Sequence, residues 1–155
     1  MAEYAISNKM GGTQQALASS FKTLLYIFAT SGSLKRGKLG EFNIGTNSAP
    51  ADNFVEYDIS RMTADGTATS ITPNPVDSAD GAAVTTAKAN ATAEPTVTSN
   101  SDLWYDALNQ RASYRWVARP GKELIWPATA NNGLVIRAKS ASYSGTVAAS
   151  ASFSE

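Results

Sequence analysis

The chain has 155 residues, of which 43% are hydrophobic, and its thirteen basic residues balance thirteen acidic ones. A length of this order suits one domain, which can bury about two-thirds of its unfolded surface without covalent staples. Neither cysteine nor histidine is present, which excludes disulfides and thiolate metal sites and removes the usual general base and the commonest metal ligand.

The opening MAEYAISNKMGG has no basic stretch leading into an apolar run, so it does not read as a secretory signal. Residues 1–20 are the least globular part of the chain and are expected as an arm reaching a neighbour or as an edge strand. A single domain over 21–155 follows. Between 14 and 29 two patterns compete. Leu17, Phe21, Leu24, Leu25 and Phe28 fit a helical stripe with Thr13 as its cap. The run 21–29 is equally a strand that is apolar on both faces. The strand is preferred, because the run stops at Ser31-Gly32-Ser33 and a second strand-like run follows at 38–45. The longest apolar stretch, LLYIFA, is far shorter than a membrane span, and no membrane partner is expected.

Val55, Tyr57 and Ile59 alternate with Glu56, Asp58 and Ser60, the period of a half-buried strand. This run meets Asp65-Gly66, a pair suited to the positive-φ positions of a tight hairpin turn, and 67–72 is predicted to return as its partner strand. Thr72-Pro73-Asn74-Pro75 reads as a turn, since neither proline can donate to a ladder. The segment VDSADGAAV is predicted as a turn or one short helix. Within it, the spacing of Asp77 and Asp80 beside Gly81 matches turn or cap chemistry better than a ligand pair.

From 111 to 119 the alternation is sharp. Arg111, Ser113, Arg115, Val117 and Arg119 share one face, and Ala112, Tyr114, Trp116 and Ala118 share the other. Pro120-Gly121 supplies a turn, and 122–126 is predicted to return. Successive same-face residues would stand roughly 7 Å apart, two rises along the strand. Binding single-stranded nucleic acid needs aromatic platforms among the basic side chains. Here the aromatics oppose the arginines, the net charge is zero and no nucleic-acid motif is present, so no nucleic acid is expected as a partner. The aromatics belong to the core; the arginines are solvated or matched to carboxylates on a neighbour. Lys35, Arg36 and Lys38 form a second basic cluster, read as a solvated turn or a contact patch.

Two more strands are predicted. Leu134, Ile136 and Ala138 alternate with Val135, Arg137 and Lys139. Tyr143, Gly145, Val147, Ala149, Ala151 and Phe153 interleave with mostly serine and threonine, giving one core face and one polar face. About eight to ten short strands with turns between them indicate an all-β antiparallel sandwich or barrel. No nucleophile elbow, P-loop or dinucleotide motif occurs, and nothing singles out a catalytic, cofactor or metal site; a non-enzymatic protein without cofactor is expected.

Charge is spread unevenly. Residues 1–40 carry five basic and one acidic side chain, 41–110 two and ten, and 111–155 six and two, giving +4, −8 and +4. Such segments either pair subunits by complementarity or interleave in the fold and offset one another locally. The second arrangement is preferred.

Taken in order, LKRGKLGEFNIGTNSAPADN (34–53), YDISRMTADGTATSITPNPVDSAD (57–80), NATAEPTVTSNS (90–101), NQRASYRWVARPGKELIWPATANNGLVIRAKS (109–140) and the closing SASYSGTVAASASFSE form a recognisable set. The set resembles a family of small structural proteins of tailed phages, the jelly-roll head proteins of the decoration or cement type, over about 21–155. The resemblance implies a jelly-roll sandwich that forms homotrimers on the exterior of the virion capsid. There it would bridge subunits of the major capsid protein after assembly in the host cytoplasm, with no small-molecule substrate. On charge alone, Lys35, Arg36, Lys38, Arg111, Arg115 and Arg119 are the candidate protein contacts. Two other readings stand beside it: a tail or fibre component, and a lectin-like sandwich in which Trp104 or Trp126 is an exposed platform for a sugar ring and not a buried core residue.

Overall fold

Period-two alternation builds two antiparallel sheets in the computed structural model, which describes residues 1–32 and 34–155. In chain order the first seven strands are β1 (Glu3–Ser7), β2 (Lys22–Phe28), β3 (Gly37–Thr46), β4 (Phe54–Ala64), β5 (Thr67–Ile71), β6 (Asn74–Pro75) and β7 (Thr86–Ala93). The remaining six are β8 (Thr96–Val97), β9 (Trp104–Asn109), β10 (Tyr114–Val117), β11 (Leu124–Trp126), β12 (Gly133–Lys139) and β13 (Val147–Ser154). The first sheet runs β10–β3–β13–β1–β6, with β11 also on β3. The second runs β5–β7–β2–β12–β4–β8, with β9 also on β4.

The all-β class and the packed antiparallel sheets agree with the sequence reading; thirteen strands exceed the eight to ten expected. The excess has a local cause. β6 and β8 have two residues each and β11 three, too short for any alternation to show. The strand reading of 21–29 holds, and so do 38–45 and 134–139.

Inward-facing residues of both sheets form one main core that draws on the chain from Tyr4 to Phe153. A smaller cluster of Tyr26, Phe28, Met62, Ala91 and Val135 lies on the other side of the second sheet. This second cluster explains why 21–29 is apolar on both faces. Tyr26 Oη donates to Asp65 Oδ1 at 3.0 Å over this cluster. Burial, then the bond to that carboxylate, raises the Tyr26 hydroxyl well above the ordinary phenol range.

Three sequence expectations are corrected. β4 and β5 do not form a hairpin: β5 pairs with β7, because β12 and then β8 and β9 already occupy the two sides of β4. Gly66 is required for closeness and not for a positive φ, since a Cβ there would stand 2.4 Å from Ala93 O. Residues 122–126 do not fold back on 114–117 either. β10 and β11 both pair antiparallel with β3, at 44–41 and then 39–37, so they run in one direction along one edge, and 118–123 loops out between them. The Pro120-Gly121 turn is present, with Lys122 N–H donating to Arg119 O at 2.9 Å.

In 1–20, where the sequence leaves an arm and an edge strand as alternatives, β1 is held by β13 along its length and half-covered by β6, with Tyr4 and Ile6 in the core. The third correction concerns 72–84. Asn74 and Pro75 pair with Ala5 and Tyr4 at the sheet edge, where proline is tolerated. Beyond them the segment is a turn and not a helix: Ala79 N–H donates to Asp77 Oδ1 at 2.9 Å and Asp80 N–H to Asp77 O at 3.0 Å.

Buried polar groups clasp these layers. Asn8 is fully buried; its Nδ2 donates to Val147 O at 2.7 Å, and its Oδ1 accepts from Ala149 N–H at 3.0 Å. The Glu155 carboxylate accepts from Val84 N–H, Thr85 N–H and the Thr85 hydroxyl, tying the 84–85 segment to the end of β13. Asp58 on β4 is engaged by the Arg137 guanidinium of β12, which stacks 4.6 Å from the Phe21 ring centre. Ser60 Oγ lies within hydrogen-bond reach of both Asp58 Oδ1 at 3.0 Å and Asp102 Oδ1 at 2.9 Å, with one hydroxyl proton to donate between them.

Two stability predictions follow from this packing. Gly37→Ala would place a methyl 2.0 Å from the ring of the fully buried Trp126 and should cost about 2–3 kcal/mol in denaturant unfolding. Gly81→Ala, which meets open space, should be near neutral. Arg137→Met strands the Asp58 carboxylate, which is 3% exposed at its side chain, and should cost about 3–5 kcal/mol, whereas Asp58→Asn combined with Arg137→Met should cost clearly less.

Candidate interaction surface

The six basic residues singled out in the sequence gather along one side of the first sheet. Lys35 and Arg36 lead into β3, Lys38 lies at its start, Arg115 sits on β10 opposite Asn43, and Arg111 and Arg119 flank β10. Three of the six are neutralised within the chain. Arg115 makes a bidentate pair with Glu41, Nε to Oε1 at 2.6 Å and Nη2 to Oε2 at 2.8 Å. Arg111 Nε reaches Asp52 Oδ1 at 3.0 Å, and Lys35 Nζ lies 3.9 Å from Glu155 Oε1. The alternation predicted over 111–119 holds only within β10: Arg115 and Val117 are exposed and Tyr114 and Trp116 turn inward onto Phe42, whereas Ala112, placed on the inward face by the sequence, is exposed in the turn before the strand.

Lys38 acts on Glu123 from a distance. The backbone N–H of Glu123 itself and that of Gly121, and then the Lys38 charge, hold the Glu123 carboxyl below the usual range. Among the described residues, Arg36 and Arg119 join no ion pair.

Arg36 is not alone. It lines a cleft of about 530 Å³ with Arg61, Ile125, Pro127 and Ala128. Arg61 comes from β4 in the other sheet, and its Nη1 donates to Ile125 O at 3.0 Å. Arg61 likewise joins no ion pair among the described residues. Sequence reading missed it. An isolated arginine at the end of an alternating run gives no sign that β11 will bring it beside Arg36. The cleft therefore offers two guanidiniums over an apolar floor, a surface matched to carboxylates carried beside a small apolar side chain.

The two tryptophans weighed as sugar platforms have different fates. Trp126 is fully buried, edge-on to Phe153 at 5.6 Å, which overturns its role as a platform. Its indole Nε1 has no hydrogen-bond partner among the described residues. Trp104 is half-buried, stacked on Tyr114 at 5.3 Å and edge-on to Phe42 at 4.9 Å. Its place is with the aromatics that close the sandwich between β9 and β10.

Among the described residues no group of three or more acidic side chains stands ready to hold a metal ion, and no helix is long and apolar enough to cross a membrane. Asp77 shapes the turn, as the spacing predicts: its Oδ1 accepts from Ala79 N–H and its carbonyl from Asp80 N–H, while the Asp80 carboxylate is exposed. No protein family, curated protein or solved structure matches the chain. Fold and surface together define a two-sheet antiparallel β-protein with a charged, partly uncompensated sheet edge.

The Arg115–Glu41 pair yields a pH prediction. Hydrogen bonds from Arg115 hold the Glu41 carboxyl below its ordinary value of 4.5. A depressed folded-state pKa contributes stability above the ordinary value and loses it as pH falls through the depressed one. In Arg115→Gln, an NMR titration should show Glu41 moving up toward the ordinary range. The variant should also lose less stability than the wild type on acidification below about pH 4.5.

Proposed function

We propose that the chain is a non-enzymatic structural protein of a tailed-phage head, a decoration protein of jelly-roll type. It sits as a homotrimer on the outside of the shell and ties neighbouring subunits of the major capsid protein together. The observation that carries this reading is the edge of the first sheet and the rim where Arg61 of the second sheet meets it: among the described residues Arg36, Arg61 and Arg119 join no ion pair, while the other arginines are paired inside the chain. Cations left unpaired at a rigid sheet edge suit a protein whose work is to hold neighbours by surface contact. The motif set from 34 to 155 gives the phage-head assignment, and the two packed sheets suit it. Several modest contacts engaged at once give avidity without any single strong site.

Incubating the purified protein with shells assembled from the capsid protein of the same phage tests this reading. Co-sedimentation should saturate at a fixed ratio to capsid protein, and the decorated shells should withstand more heat than bare ones. Arg119→Glu should weaken shell binding about tenfold by reversing an exposed contact charge. Absence of binding to shells, or binding to isolated tails in their place, would overturn it.

A further inference from the structure

We propose that copies of this chain associate head to tail, the 76–80 turn of one copy seating in the Arg36–Arg61 cleft of the next. This gives the self-association in the proposed function its interface, and it rests on that reading only for the number of copies.

The turn is built to be presented. Val76 is 61% exposed, and Asp77 and Asp80 are exposed beside it. Both carboxylates are absent from the ion pairs of the described residues. The segment is nonetheless fixed at both ends. Val76 N–H donates to Glu3 O at 2.8 Å, and Tyr4 Oη donates to Gly81 O at 3.1 Å. A rigid loop loses little conformational entropy on docking.

The cleft supplies what the turn lacks. Arg36 and Arg61 match the two carboxylates in number and charge, and Ile125, Pro127 and Ala128 offer an apolar floor for Val76. Pairing of guanidinium with carboxylate is the strongest of the side-chain hydrogen-bond geometries.

A chain cannot fill its own cleft. The turn leaves β6 at one edge of the first sheet, and Ile125 belongs to β11 at the other. Four strand spacings of about 4.8 Å set these edges roughly 19 Å apart. The two features are level with each other. Val76 is bonded to Glu3, Glu3 is opposite Ser154, Ser154 opposite Lys38, and Lys38 opposite Ile125. One transverse row of the sheet thus begins at the acidic turn and ends at the basic cleft. Complementary features on opposite edges at one level make a heterologous contact, which repeats from copy to copy and closes into a ring when the rotation per copy permits.

Light scattering at two concentrations about a hundredfold apart tests the contact by mass action. The wild type should be oligomeric at the higher concentration and lose mass on dilution and in high salt. Asp77→Lys with Asp80→Lys should be monomeric at both, a rise of at least about a hundredfold in the dissociation constant. Arg36→Glu with Arg61→Glu should behave in the same way, and Arg36→Glu alone should weaken association while keeping the Arg61 bond to Ile125. All four reversals in one chain should restore the oligomer, with circular dichroism confirming the fold of each variant. A monomeric wild type, an oligomer indifferent to either pair of reversals, or a fourfold variant that stays monomeric would overturn the proposal. Shell binding reports separately: restored oligomers that ignore capsid shells would sink the phage-head reading and leave this interface standing, and monomers that still decorate shells would do the reverse.

Discussion

The first sheet and its charged rim depend on β3, a strand whose two sides are both hydrogen-bonded for most of its length. β13 lies along one side from 46 to 38, while β10 and β11 share the other in succession. The irregularity falls at one place on both sides. The pairing with β13 slips between Ser152 and Phe153, opposite the stretch from Glu41 to Leu39. On the other side, Ala118 N–H makes its last bond, to Gly40 O, before the chain leaves the ladder. A bulge bends its strand and ends regular pairing locally. Here it releases the loop that carries Arg119 and Lys122, then lets Leu124–Trp126 rejoin the same edge. That return seats the Trp126 indole over Gly37, where no Cβ intervenes. It also carries Ile125 to the rim, where Arg61 of the second sheet meets it.

The same topology accounts for the balance of charge. The basic ends of the chain supply the start of β3, β10, β12 and the segments leading to them, and the acidic middle supplies the rest of β3 with Glu41, β4 and the 50–53 stretch. Among the described residues, six of seven ion pairs join two different segments: Lys22–Glu94, Lys35–Glu155, Arg111–Asp52, Arg115–Glu41, Arg137–Asp58 and Lys139–Glu56. Only Lys88–Asp65 falls within one. Interleaving therefore absorbs most of the segmental imbalance, as preferred from the sequence. What it leaves over is not random. Among the cations outside these pairs, Arg36 and Arg61 end up in one cleft, and among the anions Asp77 and Asp80 end up on one turn.

The strands were legible where alternation runs for five residues or more, because one-sided burial prints its period directly on the chain. That covers β3, β4, β12 and β13. β10 was legible too, since four large alternating side chains separate the Phe42 side from solvent. Partners were not legible. Asp65-Gly66 and Pro120-Gly121 are sound turn dipeptides, yet neither joins paired neighbours, because which strand fills a sheet position depends on contacts distant in sequence. The candidate site divides in the same way. Local spacing found the basic residues beside β3 and β10. Arg61 is 25 residues from Arg36 and on the other sheet, so only the sandwich brings them together, and no local rule marks it.

Edge strands usually tempt a second copy to add its own strand. Both edges of the first sheet forbid this in physical terms. At one edge β6 has two residues, one of them Pro75, with Pro73 just before it; proline offers no donor to an added ladder. At the other edge β10 and β11 have four and three residues with a looped excursion between them, so no continuous row of backbone groups is on offer. Backbone addition is blocked on each side, while side chains of opposite charge are displayed at the same level on each side. A contact made by side chains alone carries a defined geometry and a defined direction. Backbone pairing alone would leave the register open, since a slip of two residues preserves most of its bonds. With both edges blunted against backbone addition, the head-to-tail contact proposed above would rest on side-chain charge alone, and its direction would follow from the acidic turn lying at one edge and the basic cleft at the other.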